Sequence, residues 1–257
     1  MAECVASVEQ VLSLTKLCAQ IILENGGETY RAEETVYRIC RATGYTDSDV
    51  VALPTGVFIN VCGACGNAGT AVRRIKKRTF NLRAVATVNS TARDLIAGRI
   101  TADEALCRLQ RLRQQPAGDK WLLILAAGLS SGSFALLFKG SLFDFAVATV
   151  CGMLVQFMEG FIHNDDVFNF AVSLLGGSLI GLISVAAIRL FHMGDLQKII
   201  TGAIMPLLPG VAMTNAIRDT MRGDLVSGVT RAAEALLVVT ALALGVGVVL
   251  KTYYALV

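Results

Sequence analysis

The strongest constraint on this chain is a set of apolar runs beginning near residue 121: Trp121 to Phe138, Ser141 to Met158, Phe168 to Ile188 and Val226 to Leu250, with an interrupted one from Leu196 to Ile217. A helix needs about 20 apolar residues to cross a bilayer core, and these runs are near that length. Lipid offers no water to an exposed peptide group, so each run must close its own hydrogen bonds as a helix. About five transmembrane helices are therefore predicted, one of them broken. Lys139-Gly140 makes a tight turn between the first two, and Gly128-x-x-x-Gly132 and Gly177-x-x-x-Gly181 put small residues on one helix face, as packing between membrane helices requires.

Charge divides the chain in two. The first 120 residues hold 16 Lys+Arg and 12 Asp+Glu, and the remaining 137 hold 7 and 8. This predicts an α-helical integral membrane protein with an N-terminal cytosolic α+β domain, residues 1–118 preceding a transmembrane helical domain at 119–257. The basic excess lies before the first span, which places the N-terminus in the cytoplasm; five crossings then leave the C-terminus outside. Met1 to Gln20 has no apolar core of the kind a signal peptide carries. Seven scattered cysteines suggest reduced thiols rather than a disulfide framework.

Within the N-terminal region, Val8, Val11, Leu12, Thr15, Cys18, Ala19 and Ile22 follow helical spacing up to Gly26-Gly27. A second helix buries Ala32, Val36, Ile39 and Cys40 and ends at Gly44. β-Branched runs around Val50-Val51, Val57 to Val61 and Thr70 to Ile75 predict short antiparallel strands. Two more helices follow, Asn81 to Ala97 and one opened by a capping box at Thr101-Ala-Asp-Glu104 and ended by Pro116.

Several smaller features have competing explanations. Glu28, Tyr30, Arg31 and Glu33 form either a recognition or hydrolase-like site or a solvated helix start. Cys62-x-x-Cys65 lacks further ligands for zinc and sits in a glycine-rich turn, unlike a redox motif. The basic run Arg73 to Arg78 suits anionic lipid or a solvated strand end, and nucleic acid is not an expected partner. His163 reads as a surface histidine. Asp144, near the end of the second span, is either a lone structural acid or a proton-coupling group.

The stretch Thr201 to Ala235 combines membrane-grade sequence with two prolines and six charges. Pro206, Pro209 and Gly210 should break the helix, and the new N-terminus at Pro209–Val211 exposes N–H groups suited to an anion. After a charged turn, Ser227, Arg231 and Glu234 share one helical face. A charge at a helix centre in lipid costs roughly 2.5–3.5 kcal/mol, so Arg231 and Glu234 should face a cavity or each other, unless the helix begins so late that both sit among headgroups.

This stretch resembles the signature of the ThrE-type threonine/serine exporter family: Pro209-Gly210, then Thr214-Asn215-x-x-Arg218-Asp219, then Gly223-Asp224-x-x-Ser227-Gly228-x-x-Arg231-x-x-Glu234-Ala235. Glu24 to Tyr45 and the sequence around Asp144 resemble the family as well. The resemblance implies a bacterial inner-membrane exporter of small polar metabolites. Because the chain stops at Val257 without a second membrane block, it resembles the separate-subunit, YjjP-like form, associated with dicarboxylates such as succinate; a small YjjB-like membrane partner and an oligomeric complex follow. No metal or cofactor is expected.

A carboxylate substrate suits the residues themselves. Arg231 offers a bidentate fork. Pro209, Gly210, Thr214, Asn215, Arg218 and Ser227 are the further substrate-binding candidates, and Asp219, Asp224, Glu234 and Asp144 the proton-coupling or ion-pairing ones. Threonine or serine would use the same arginine. A membrane-anchored enzyme or sensor lacks a nucleophile–base constellation in this sequence, and a non-transporting accessory subunit is the other alternative.

Overall fold

The computed structural model describes residues 6–63, 67–76, 78–114, 119–162 and 169–255. Its helices are α1 (Val8–Glu24), α2 (Thr29–Ala42), α3 (Leu82–Ile96), α4 (Ala102–Gln114), α5 (Lys120–Leu137), α6 (Leu142–Ile162), α7 (Asn169–Phe191), α8 (Leu196–Ile204), α9 (Gly210–Met221) and α10 (Leu225–Ala255). Strands β1 (Asp47–Leu53), β2 (Gly56–Cys62) and β3 (Ala68–Arg74) form one antiparallel meander in the order β1-β2-β3. The chain divides into two compact units, Met1–Pro116 with Val211–Ala232, and Ala117–Gly210 with Ala233–Val257.

In the first unit, α1 to α4 and the sheet enclose a core built on Leu14, Ile22, Ile39, Tyr45, Ile59 and Leu109. Helix α1 starts on a capping box between Ser7 and Gln10, and α4 on the expected one, where the Thr101 N–H donates to Glu104 and the Glu104 N–H to the Thr101 hydroxyl. The sheet is one-sided. Val50, Ala52, Val57 and Ile59 face the core, while Val51, Phe58 and Val72 are exposed, the period-2 alternation a half-covered strand imposes. Cys65, and with it the C-x-x-C motif as a pair, lies outside the described residues, as does His163.

The second unit holds the apolar helices. Four helices are long and apolar enough to cross a membrane, and the pair Leu196–Leu207 and Gly210–Met221 raises the number to five if counted as one broken span. The glycine spacings mark real contacts: a Cβ at Gly132 would run into Thr149 Oγ1 on α6, and one at Gly177 would lie 2.5 Å from the Leu242 carbonyl on α10. Asp144 is buried and locally satisfied. It accepts hydrogen bonds from the Ser141 N–H at 2.7 Å, the Ser141 hydroxyl at 2.9 Å and the Asp195 N–H at 2.8 Å, capping α6 and pinning the turn before α8. After α8 a 3-10 turn, Met205–Leu207, carries Pro206; Leu208 is extended, and α9 begins at Gly210. The helix breaks where its prolines predict.

Candidate functional site

The signature residues of α9 and α10 divide between shaping a hairpin and reaching away from it. Gly223, at φ 88°, supplies the left-handed residue that ends α9, and the Asp224 N–H returns to the Asp219 carbonyl. Asp224 then caps α10, accepting from the Ser227 N–H at 3.2 Å. Gly228 lets the two helices touch, since a Cβ there would run into Thr220 Oγ1 and lie 3.0 Å from the Ala216 carbonyl. The Gly-Asp-x-x-Ser-Gly sequence is thus a turn, a cap and a close crossing.

The remaining polar side chains meet the link between α1 and α2. Gly26, at φ 81°, turns the chain out of α1, and the Gly27 N–H bonds back to the Ile22 carbonyl. Behind this link, the Thr79 N–H donates to the Glu24 carbonyl and the Asn81 N–H to that of Asn25, holding its shape. Its carbonyls face the hairpin: Asn215 Nδ2 donates to the Gly26 oxygen at 3.0 Å and Arg231 Nη2 to the Gly27 oxygen at 3.0 Å. Side chains add to these. Glu28 pairs with Arg218 and, at 2.8 Å, with Arg31. Thr29 Oγ1 donates to Asp224 at 2.9 Å, and the Arg222 guanidinium lies 3.6 Å from the centre of the Tyr30 ring.

At the centre Arg231 Nε lies 3.1 Å from Asp219 Oδ2, with Arg231 only 6 % and Asp219 1 % exposed. A pair this buried holds its charges only because each compensates the other. Ser227 is also fully buried, and its hydroxyl finds no hydrogen-bond partner among the described residues. Glu33, one turn along α2 from Glu28, accepts from the Ala52 N–H at 2.8 Å. Burial pushes its carboxyl above the usual range, the Ala52 N–H acts against this, and the nearby Asp224 and Asp219 charges add to the rise.

The structure therefore brings Asn215, Arg218, Asp219, Asp224, Ser227 and Arg231 together. Thr214 lies on the exposed face of α9, and Glu234 is half-buried further along α10. Pro209 and Gly210 form the helix break, where the Gly210 N–H is taken by the Leu208 carbonyl at 2.8 Å. Asp144 keeps to its own capping contacts. The sequence marks Glu28 as part of a charged helix start but carries no sign of its distant partner Arg218. Glu28 is the N-cap residue of α2 yet makes no side-chain cap, because its carboxylate is turned to Arg218 and Arg31. The glycine pair before that acidic helix start was the available signal for a backbone that others approach closely.

Comparison with known proteins places residues 13–253 in a family model described as "Putative threonine/serine exporter". A Mycobacterium tuberculosis protein named "Probable threonine/serine exporter" is 21% identical over 94% of this chain but 46% of its own length, so the chain spans about half of that relative. Proteins named "Probable succinate transporter subunit YjjP" are 26% identical in Klebsiella aerogenes, over 91% of this chain and 92% of the relative, and 26% identical in Escherichia coli, over 93% and 94%. No solved structure matches the chain.

Proposed function

Since the chain belongs to the threonine/serine exporter family, we propose that it is the inner-membrane subunit of a two-component exporter of small carboxylates, working with a small YjjB-like membrane partner. Succinate is the first candidate substrate, from the names of the relatives that match along nearly their full length, and threonine or serine the second. The N-terminus lies in the cytoplasm, so the hairpin of α9 and α10 works at the cytoplasmic side.

The observation that carries the proposal is the buried Arg231, held at once by Asp219 and by the Gly27 carbonyl. A guanidinium already bound to a carboxylate is shaped for a carboxylate, and the substrate's competes with Asp219 for the same fork. A displaced Asp219, buried and without its cation, takes up a proton, which couples substrate entry to proton movement. Ser227 supplies a hydroxyl for the incoming ligand, and Asn215 holds the link whose Gly27 carbonyl fixes Arg231. Arg218, Glu28, Thr29 and Asp224 keep the hairpin against that link. Glu234 is the next acid along α10 and a second candidate for proton transfer.

Labelled succinate and labelled threonine, offered to inside-out vesicles with this chain alone, its partner alone or both, test the reading. Accumulation of either label only with both subunits supports it; accumulation of neither with both present removes the substrate class.

A further inference from the structure

A second polar site lies in the first unit and shares no residue with the cluster at Arg231. It is a groove of about 550 Å³ between α1 and α4, lined by Ser13, Lys16 and Gln20 of α1, Gln110 and Arg113 of α4, and Arg73 of β3. The sequence builds it simply. Ser13, Lys16 and Gln20 recur at helical spacing on one face of α1, Gln110 and Arg113 do the same on α4, and Arg73 alternates with the exposed Val72 and Arg74.

Three cations line this groove and no carboxylate does. Some arginines elsewhere in the unit pair with acids, Arg38 with Glu34, Arg99 and Arg108 with Asp94, and Arg31 with Glu28, while Arg41, Arg74, Arg83, Arg93 and Arg111 do not among the described residues. Lys16, Arg73 and Arg113 have no such partner among the described residues. Arg73 goes further, because its Nε is buried and without a hydrogen-bond acceptor. A buried, unsatisfied donor on a permanent cation is costly to keep, and an oxyanion in the groove would satisfy it.

We propose that this groove is an anion site for a phosphate group, built from residues other than those of the Arg231 cluster. A planar fork from an arginine and a point charge from a lysine suit a multiply charged tetrahedral oxyanion better than a single carboxylate. The phosphate has two possible sources: a soluble phosphorylated metabolite, or the headgroup of an anionic phospholipid, since only residues 115–119 separate α4 from the apolar α5.

The test uses the full chain in neutral detergent at fixed ionic strength. Calorimetric titration with inorganic phosphate is one arm; retention of phosphatidylglycerol, against phosphatidylcholine, by native mass spectrometry is the other. Each is repeated with Arg73→Gln and with the double variant Lys16→Gln/Arg113→Gln. The proposal predicts saturable one-to-one binding in at least one arm, weakened tenfold or more by both variants. Binding of phosphate identifies a soluble ligand, and binding of phosphatidylglycerol alone identifies the headgroup. No saturable binding in either arm, or binding unchanged in the double variant, overturns it.

Discussion

Arg231 and Asp219 should be far costlier to remove singly than together. Either single replacement, Arg231→Met or Asp219→Leu, leaves one buried charge without compensation, at about 3–5 kcal/mol. Since 1.4 kcal/mol is a factor of ten, the opening equilibrium of the first unit should rise about 10²- to 10³-fold or more. In the double variant no charge is left stranded, and the main remaining loss is the Gly27 carbonyl's partner, about 1–3 kcal/mol. The cycle should therefore miss additivity by several kcal/mol, well above the few tenths expected of independent sites. Cys18 and Cys40 supply the readout, because both are buried in the core of this unit and burial pushes the Cys18 thiol up to about 12, so neither reacts until the unit opens. Their alkylation across a denaturant series, followed by mass spectrometry, gives the opening free energy of each variant. Single losses that simply sum in the double variant would refute the argument that the two charges compensate each other.

Three further outcomes follow from particular contacts. Glu33 has a carboxyl held above its ordinary value of 4.5, so the folded unit keeps its proton longer than the unfolded chain, and stability should fall as pH rises from that value through the folded one; Glu33→Gln, which can still accept the Ala52 N–H, should flatten this decline in the same alkylation assay. Gly228→Ala should destabilise the hairpin by about 1–3 kcal/mol through overpacking on Thr220 and the Ala216 carbonyl, and adding Thr220→Ala should relieve part of the loss, measured as the opening free energy. Asp144→Asn keeps one oxygen, enough for the Ser141 donors on one side or the Asp195 N–H on the other, so it should loosen the turn before α8 yet retain more of the export in vesicles than Asp219→Asn; equal loss in both would return Asp144 to a role in proton coupling.

Much of the fold was written locally. The apolar runs, the break at Pro206 and Pro209, the capping box at Thr101 and the alternation in β1 and β2 each depend on neighbours within a few residues, and each forms where the sequence puts it. The site was legible only in half. Composition singled out Arg218 to Glu234 as too polar for lipid, but the partners of those residues are Gly26, Gly27, Glu28 and Thr29, some 190 residues earlier. No periodicity reports such a pairing. Two of its acceptors are backbone carbonyls, which leave no trace in residue type beyond the glycines that expose them. Glu28 was ambiguous for the same reason, since an acid at a helix start suits the helix dipole whether or not an arginine is waiting for it.

The central claim is that Arg231 receives the substrate's carboxylate, and its most direct test is export by a variant complex that still assembles. Labelled succinate uptake would be compared in inside-out vesicles carrying wild type, Arg231→Lys and Arg231→Ala, each with the partner subunit and with assembly checked by co-purification. The account predicts no uptake with Arg231→Ala, and weakened uptake with a raised half-saturation concentration for Arg231→Lys, which keeps the charge but loses the fork. Wild-type uptake by an assembled Arg231→Ala complex would contradict it.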